Sequence, residues 1–428
     1  MPEVQSGQTE AGNGRPFLIL CGVGLFAILS STMSKTPVLP LFAQDYLHVG
    51  DSVLGLIAAA STAVGIIVSL PAGALSDILG RRTVLLSAMF VFATAPLLYL
   101  FVHSAEALVA VRIYHGLATA IFGPVALAYV ADLAKQRRAE RMGWYSSATL
   151  LGRSVAPMLG GVLLSGFAVG GVSTLVSYHA VYMGCAVAGG LALVCALALP
   201  RVPRPTVLSA PEGVPSRPSL RSSVSQMGAG MKVVGRSRII LTTSLTEALQ
   251  YLAFGAVETF LPLYAKSKGV SEWQIGIIFG AQIITLALTK PLSGRQSDKL
   301  GRRAVIAAGL GMNAVALVAL TAYPTFWGFL VGATLFGLAM SVVTASTSAL
   351  VADVSRSHHY GTSLGVLSTI MDVGHASGPV VAGLLIPLLA YANTYRILAV
   401  LMVVAMGGFL AMTAGERGEK PAHEEAAI

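Results

Sequence analysis

Six charged side chains interrupt apolar stretches of this 428-residue chain, and they are the residues best placed to do chemistry. A charge inside a bilayer costs about 2.5–3.5 kcal/mol on insertion scales, so each is a candidate for a functional role. Apolar surroundings raise the pKa of a carboxyl group and a nearby cation lowers it, which is the behaviour that proton coupling requires. The cations lie in the first half and the acids in the second: Lys35, Arg112, Arg153, Glu247, Glu258 and Asp372.

Two of the acids, Asp372 and Glu247, lie deep enough in their stretches to exchange a proton. We predict that one or both carry it; the alternative for each is a fixed ion pair with no turnover. His115 and His375 titrate in the same pH range, but a lone histidine in a helix is more often a packed hydrogen-bonding group.

The elements that must position these charges are membrane-spanning helices. Only 11% of the residues are charged and 55% are hydrophobic, whereas a soluble protein has about a quarter charged. Several uncharged stretches reach the roughly 20 residues that a helix needs to cross a bilayer. With the charge-bearing stretches 239–264 and 273–292, and with turns at 166–174 and 321–325, the sequence predicts twelve spans. The three cysteines lie in apolar spans and predict no disulfide.

The basic residues lie almost entirely in alternate loops. The loops between them hold only Lys266, Lys268 and Arg396. By the positive-inside rule, both termini and the central loop are cytoplasmic in an inner or plasma membrane. The net charge of +9 therefore reflects topology, and we expect no nucleic-acid partner.

The chain repeats itself. The phrase G-x-x-S-D-x-x-G-R-R begins at Gly73 and again at Gly294, 221 residues later (294 − 73), and three other landmarks recur at nearly the same offset. Such a repeat in a membrane protein predicts two homologous halves around a central cavity. We expect a tail at 1–14, six-helix bundles at 15–200 and 239–415, a flexible linker at 201–238 and a tail at 416–428.

These motifs resemble those of the major facilitator superfamily across nearly the whole chain. The repeated phrase resembles the family's signature in loops 2–3 and 8–9, and Arg112-Ile-Tyr-His-Gly116 resembles the Arg-x-x-x-Gly of its proton-coupled members. The resemblance implies an all-α fold of twelve transmembrane helices in two pseudo-symmetric six-helix bundles. It also implies that Arg112 modulates the proton site.

The repeated phrase is a candidate conformational gate at the cytoplasmic side. Its glycines allow a tight turn, and its arginines present planar donors to neighbouring carboxylates. The alternative is that the arginines only anchor the helices by their positive charge. The gate residues are Gly73, Asp77, Gly80, Arg81 and Arg82, with Gly294, Asp298, Gly301, Arg302 and Arg303 in the second copy.

A pattern of small residues in span 5 resembles the family's antiporter motif, typical of twelve-span drug:proton exporters. Ala156 stands where the family has glycine. Gly152, Ala156 and Gly160 share one helix face, which we expect to seal the two halves together; generic helix packing is the alternative. The motif residues are Gly143, Gly152, Ala156, Pro157, Gly160 and Gly161.

The remaining candidates concern the cavity. Lys35 and Glu258 lie at similar heights near the outer ends of spans 1 and 7, and we predict an ion pair that gates the outer side. Snorkelling of Lys35 is the alternative. Arg153 either pairs with an acid or binds an anionic group of the cargo. The full set of cavity candidates is Lys35, Arg112, Arg153, Gln250, Tyr251, Phe254 and Glu258.

The function predicted from these features is efflux of small amphipathic organic compounds in exchange for protons, by alternating access. A proton-coupled importer of a small anionic metabolite is the alternative, and a non-transporting receptor is a third. The sequence has no H-E-x-x-H, G-x-S-x-G or Walker A motif, so we predict neither an enzyme nor an ATP-driven pump. We expect a functional monomer in the lipid bilayer, driven by the proton gradient with no cofactor.

Overall fold

The computed structural model describes residues 6–133, 137–169, 174–201, 237–355 and 360–414, and within these ranges the chain is helical without strands. A 3-10 turn at Tyr99–Phe101 follows α4. The helices are α1 Ser6–Lys35, α2 Val38–Asp45, α3 Asp51–Leu79, α4 Arg81–Leu98, α5 Ala105–Leu133, α6 Arg138–Val169, α7 Thr174–Leu197, α8 Arg238–Ser267, α9 Glu272–Leu300, α10 Arg302–Ala322, α11 Phe326–Val354 and α12 Tyr360–Met412.

These helices provide twelve spans. Within the described ranges, ten helical segments are long and apolar enough to cross a membrane, with α1 and α2 forming one of them. The more polar α8 carries Glu247 and Glu258 and is an eleventh. In α12 the backbone leaves helical geometry at Ala390 (φ 61°, ψ 166°), which divides its 53 residues into the last two spans. The predicted all-α, twelve-span fold is confirmed, with the final turn six residues before Arg396 (396 − 390).

The predicted segment boundaries are only partly covered by the structure. Helix α1 begins at Ser6, inside the predicted tail at 1–14. Residues 1–5, 202–236 and 415–428, which contain the rest of that tail, most of the predicted linker and the C-terminal tail, lie outside the described residues. The division into five segments therefore stays a prediction.

The two ends of the molecule differ in how their cores are packed. We call the end with the loops at residues 80 and 301 the basic end, and the end with the loops at 46–50 and 268–271 the far end. Toward the far end one buried cluster runs through both bundles, α1–α7 and α8–α12, and includes Phe42 and Phe260. Toward the basic end the first bundle has its own core around Phe122, and the second has a separate small core around Val366.

Glycines let the bundles approach closely toward the far end, in a pseudo-symmetric manner. A Cβ on Gly55 of α3 would overlap the carbonyl of Pro379 in α12, and one on Gly276 of α9 would overlap the carbonyl of Pro157 in α6. Position 276 is 55 + 221, and position 379 is 157 + 222, so the repeated halves contribute equivalent contacts. The bundles therefore meet along α3–α12 and α6–α9.

The face of the span-5 motif that we expected to seal the halves packs inside the first bundle instead. Gly152 lies against Leu25 of α1, and Gly160 lies against Met33 and Val38. The neighbouring face, with Pro157 and Gly161, makes the contact between bundles. The prediction was wrong about the face, because the small residues at i, i+4 and i+8 allow α1 and α6 to approach within one bundle.

Toward the basic end the bundles are apart. A Cβ added to Gly65 of α3, Gly143 of α6 or Gly294 of α9 would meet no atom of the described residues within 4 Å. The space between the bundles, which we call the central cavity, therefore opens at the basic end and is closed at the far end.

Candidate functional site

Each copy of the repeated phrase builds the same cluster of charges at the basic end. Arg81 Nε lies 3.1 Å from Asp132 Oδ2, and its guanidinium also contacts Asp77, four residues earlier. In the second bundle, Arg302 Nε lies 3.1 Å from Asp353 Oδ2 and its guanidinium contacts Asp298. Each cluster joins helices of its own bundle.

Two glycines and two further arginines complete these turns. Gly80 has φ 94° and Gly301 has φ 89°, a backbone region that side-chain-bearing residues rarely adopt. Arg82 Nη2 donates to the carbonyl of Leu197 at 2.7 Å, at the end of α7, and Arg303 Nη2 donates to the carbonyl of Leu410 near the end of α12. A cation there complements the negative end of a helix.

Glu258 is the centre of an ionic network between the bundles. Lys35 Nζ from the first bundle lies 2.7 Å from Glu258 Oε2, and Thr36 Oγ1 donates to Oε1 at 3.3 Å. His375 Nε2 of α12 lies 2.9 Å from the same Oε2. The Lys35–Glu258 pair expected from the sequence is thus present, and we call the four residues the Glu258 network; its role as a gate stays a prediction.

A second network lies nearer the far end, and it was not predicted from the sequence. Lys266 Nζ lies 2.7 Å from Asp45 Oδ2 in the first bundle and 3.1 Å from Glu272 Oε1 in its own. Tyr178 of α7 also donates to Asp45, at 2.5 Å. We call this the rim network. Its members lie in or beside short loops. Charged residues are common there, so the sequence did not mark these as candidates.

Further hydrogen bonds also join the bundles toward the far end. Tyr391 donates to Asp51 at 3.1 Å, and Ser52 donates to the carbonyl of Gly383 at 2.9 Å. Among the described residues, every side-chain hydrogen bond or ion pair between the bundles lies toward the far end. The far end is therefore held by charges and hydrogen bonds as well as by close backbone packing.

Arg153 and Asp372 line the central cavity from opposite bundles. Arg153, Pro157 and Gly161 fall on one face of α6, since residues four apart align along a helix, and the last two touch the other bundle. Asp372 precedes His375 by three residues on α12. Arg153 is exposed and Asp372 is half-buried. Across the described ranges neither has an oppositely charged partner within the 4.0 Å of an ion pair.

Two aromatic residues of α8 lie beside these charges. The Tyr251 hydroxyl is within electrostatic range of Arg153, Asp372 and Glu247. Phe254 packs on the ring of His375 with 5.3 Å between ring centroids. Charged groups of both bundles and an aromatic wall therefore meet in one place.

Three predicted cavity or proton residues lie inside a bundle instead. Glu247 is fully buried, and Thr347 donates to its Oε2 at 2.8 Å. Gln250 is also fully buried and donates to Met340 Sδ at 3.0 Å. Arg112 is 3% exposed and lies beside Tyr99 in the first bundle. The placement of Gln250 and Arg112 in the cavity wall was wrong, because both side chains turn toward helices of their own bundle.

Comparisons with known proteins agree with this architecture. A model of the Major Facilitator Superfamily matches residues 20–281 and 243–427. The chain belongs to the Major Facilitator Superfamily. The resemblance stated from the motifs is thereby confirmed, and the chain is a multi-pass membrane protein of a transporter family.

The curated relatives and solved structures of this superfamily cover the chain to different extents. An uncharacterised MFS-type transporter of Methanocaldococcus jannaschii is 24% identical over 91% of this chain and 93% of its own. The quinolone resistance protein NorA of Staphylococcus aureus is 27% identical over 37% of this chain and 42% of its own length. Crystal structures of the nucleoside transporter NupG (TM-score 0.73, 17% identity, 93% and 98% coverage) and of the human organic anion transporter MFSD10 (0.62, 20%, 92% and 99%) share the fold.

One charged residue within a span was not among the candidates predicted from the sequence. Lys290 is the nineteenth residue of α9 (Glu272–Leu300), exposed, and within electrostatic range of Glu247. It lies 14 residues, or about four turns, from Gly276 and so shares the face that meets the first bundle. The rule that a charge within a span is a functional candidate applies to it as well.

The described residues contain no group of three or more His, Cys, Asp and Glu side chains arranged to hold a metal ion. The prediction that the transporter needs no cofactor stays a prediction.

Proposed function

We propose that the protein is a proton-coupled antiporter that exports small amphipathic organic compounds by alternating access. The basic end is the cytoplasmic end, both termini are cytoplasmic, and the membrane is the inner or plasma membrane. The observation that carries the proposal is the pairing of a closed far end, held by the Glu258 network, with a charged cavity open at the basic end. The part-length similarity to a quinolone resistance protein also supports export of a drug-like compound.

Asp372 is the proton carrier in this account. It lines the cavity and has no ion-pair partner among the described residues, whereas Glu247 is buried and Glu258 pairs with Lys35 and contacts His375. His375 on its own helix acts on Asp372 electrostatically, and the Tyr251 hydroxyl of α8 is within electrostatic range of both Asp372 and Arg153 of α6. Lys290 and Glu247 lie nearer the basic end. Arg112, buried in the first bundle, acts on the proton only at a distance.

The Glu258 network links proton and cargo to the change of state. It joins α1, α8 and α12, and the same α12 carries Asp372. A shift of α12 when Asp372 changes its charge or its partner therefore strains the contact between His375 and Glu258. Release of Lys35 from Glu258 then allows the far end to open, while the arginine clusters of the basic end hold each bundle rigid as it moves.

Proteoliposomes with an internal pH dye test the proposal. The probes are tetraphenylphosphonium, 2-naphthoate and neutral N-phenylnaphthylamine, added to wild type, Asp372→Asn and the control Glu106→Gln, whose acid is exposed at the far end of α5. We expect probe-driven proton release in wild type and in the control, and none in Asp372→Asn. Proton uptake together with the probe favours the importer, and the absence of probe-linked proton movement contradicts the proposal.

A further inference from the structure

Arg153 and Asp372 bring charges of opposite sign to nearly one level of the central cavity. Arg153 and His375 occupy equivalent positions in the two bundles (375 − 153 = 222), and Asp372 is three residues, or about 4.5 Å along the helix axis, nearer the basic end. Tyr251 is within electrostatic range of both Arg153 and Asp372. The guanidinium and the carboxylate thus face one space from opposite bundles.

Most of the other charges near this level are engaged with protein partners. Lys35 and Glu258 neutralise one another at 2.7 Å, and His375 contacts the same carboxylate. Glu247 is fully buried behind the wall and bonded by Thr347. Lys290 is closer to Glu247 and to the basic end. Among the described residues, Arg153 and Asp372 are the oppositely charged groups at this level that form no ion pair with the protein.

The wall between these two charges is aromatic. Tyr251 and Phe254 lie with 6.0 Å between ring centroids, at an interplanar angle of 66°. Their ring faces suit an aromatic ligand by edge-to-face or offset contact. Arginine binds carboxylates through paired donors, and a carboxylate binds a protonated amine by charge-assisted hydrogen bonds.

We propose that the preferred cargo is an aromatic zwitterion, whose carboxylate binds Arg153 and whose protonated amine binds Asp372, with its ring against Tyr251 and Phe254. This inference rests on the proposed function. It explains the exchange chemically, because the amine of the cargo and the proton compete for the same carboxylate. A cargo that bears only one charge leaves either Arg153 or Asp372 without its partner.

The test uses one scaffold in three charge states: 4′-(aminomethyl)biphenyl-4-carboxylic acid, its methyl ester and its N-acetyl derivative. Competitive transport in proteoliposomes is measured for wild type, Arg153→Gln, Asp372→Asn and the control Arg396→Gln, whose side chain bonds within its own bundle at the far end. We expect the zwitterion to be transported about tenfold better than either derivative by wild type and by the control. Arg153→Gln then transports the ester as well as the zwitterion, and Asp372→Asn transports the N-acetyl compound as well, without proton release.

Equal transport of the three forms, a preference for the ester or the N-acetyl compound, or no transport of any form overturns the inference. The outcome separates it from the proposed function. If a singly charged form moves with proton release, only the cargo class is wrong. If no form moves protons and none of the earlier probes does, the antiport proposal fails as well. Arg153→Lys keeps the charge and retains part of the preference for the zwitterion, which distinguishes loss of the cation from misfolding.

Discussion

Glu258 is the residue at which the two bundles depend on one another most directly. Its carboxylate forms an ion pair with Lys35 and accepts a hydrogen bond from Thr36, both in the first bundle. It also contacts His375 in its own bundle. The side chains of Lys35 and Glu258 are 24% and 16% exposed, so water screens the pair only in part. Loss of one partner leaves a half-buried charge unsatisfied, and such a loss costs about 1–3 kcal/mol.

Reversal of either charge should therefore impair transport, and reversal of both should restore it. We expect Lys35→Glu and Glu258→Lys each to reduce the transport rate about tenfold, and the double variant to recover much of it, with a coupling of about 1–3 kcal/mol. The measurement is a double-mutant cycle of transport rates, with Lys268→Glu as a control charge reversal on the far end. Additive losses in the double variant would show that Lys35 does not act through Glu258 and only extends its ammonium group to the membrane–water interface.

Gly80 and Gly301 offer a second prediction at the residue scale. Their φ angles of 94° and 89° suit glycine, and another residue there costs about 1–3 kcal/mol. Gly80→Ala and Gly301→Ala should lower the temperature of thermal unfolding in detergent. Gly73→Ala, whose new Cβ would meet its nearest atom at 3.9 Å, should not. An unchanged unfolding temperature in Gly80→Ala and Gly301→Ala would mean that the turns tolerate a side chain.

Among the elements, α3, α6, α9 and α12 decide which end of the cavity is closed. Their contacts at Gly55, Gly276, Gly161 and Gly383 bring backbone against backbone toward the far end. A side chain at any of these positions acts as a wedge in the closed far end. It leaves the separated basic end untouched.

Gly276→Ala and Gly55→Ala should shift the protein toward a state that is open at the far end. Spin labels on cysteines at Glu106 and Lys268, which are exposed on different bundles at that end, report the distance between the bundles. We expect a longer distance, or a larger population of it, than in wild type. Gly65→Ala on the same α3, where a Cβ meets no atom of the described residues within 4 Å, is the matched control. An unchanged distance in all variants would contradict the wedge.

Most of this architecture could be predicted from the sequence because its repeats are regular. The phrase at Gly73 and Gly294 and the Val-Ala-Asp strings ending at Asp132 and Asp353 could each be aligned. Nothing in the spacing showed that Arg81 and Arg302 would contact those aspartates, since residues 51 positions apart in the chain (132 − 81) meet only after the bundle packs. For the same reason, the sequence did not predict which neighbouring helix each helix face packs against. Gly152 packs on α1 and Gln250 on Met340. These contacts depend on neighbouring helices and not on the residue spacing within one helix.

At the scale of the whole molecule, the structure is one state of a pseudo-symmetric pair of bundles. One core runs through both bundles toward the far end, and separate cores fill each bundle toward the basic end. The charges have a matching arrangement, with two networks between the bundles at the far end and two arginine clusters within the bundles at the basic end. A rocking motion that exchanges these ends needs no unfolding of either bundle.

The direction of transport under a proton gradient distinguishes antiport from symport. Inside-out membrane vesicles containing the protein, with a proton gradient that acidifies the lumen, are supplied with the biphenyl zwitterion. An antiporter that exports its cargo from the cytoplasm should accumulate the compound in the lumen as protons leave, and a protonophore should abolish the accumulation. If the same gradient instead empties preloaded vesicles, protons and cargo move together and the antiport account is wrong.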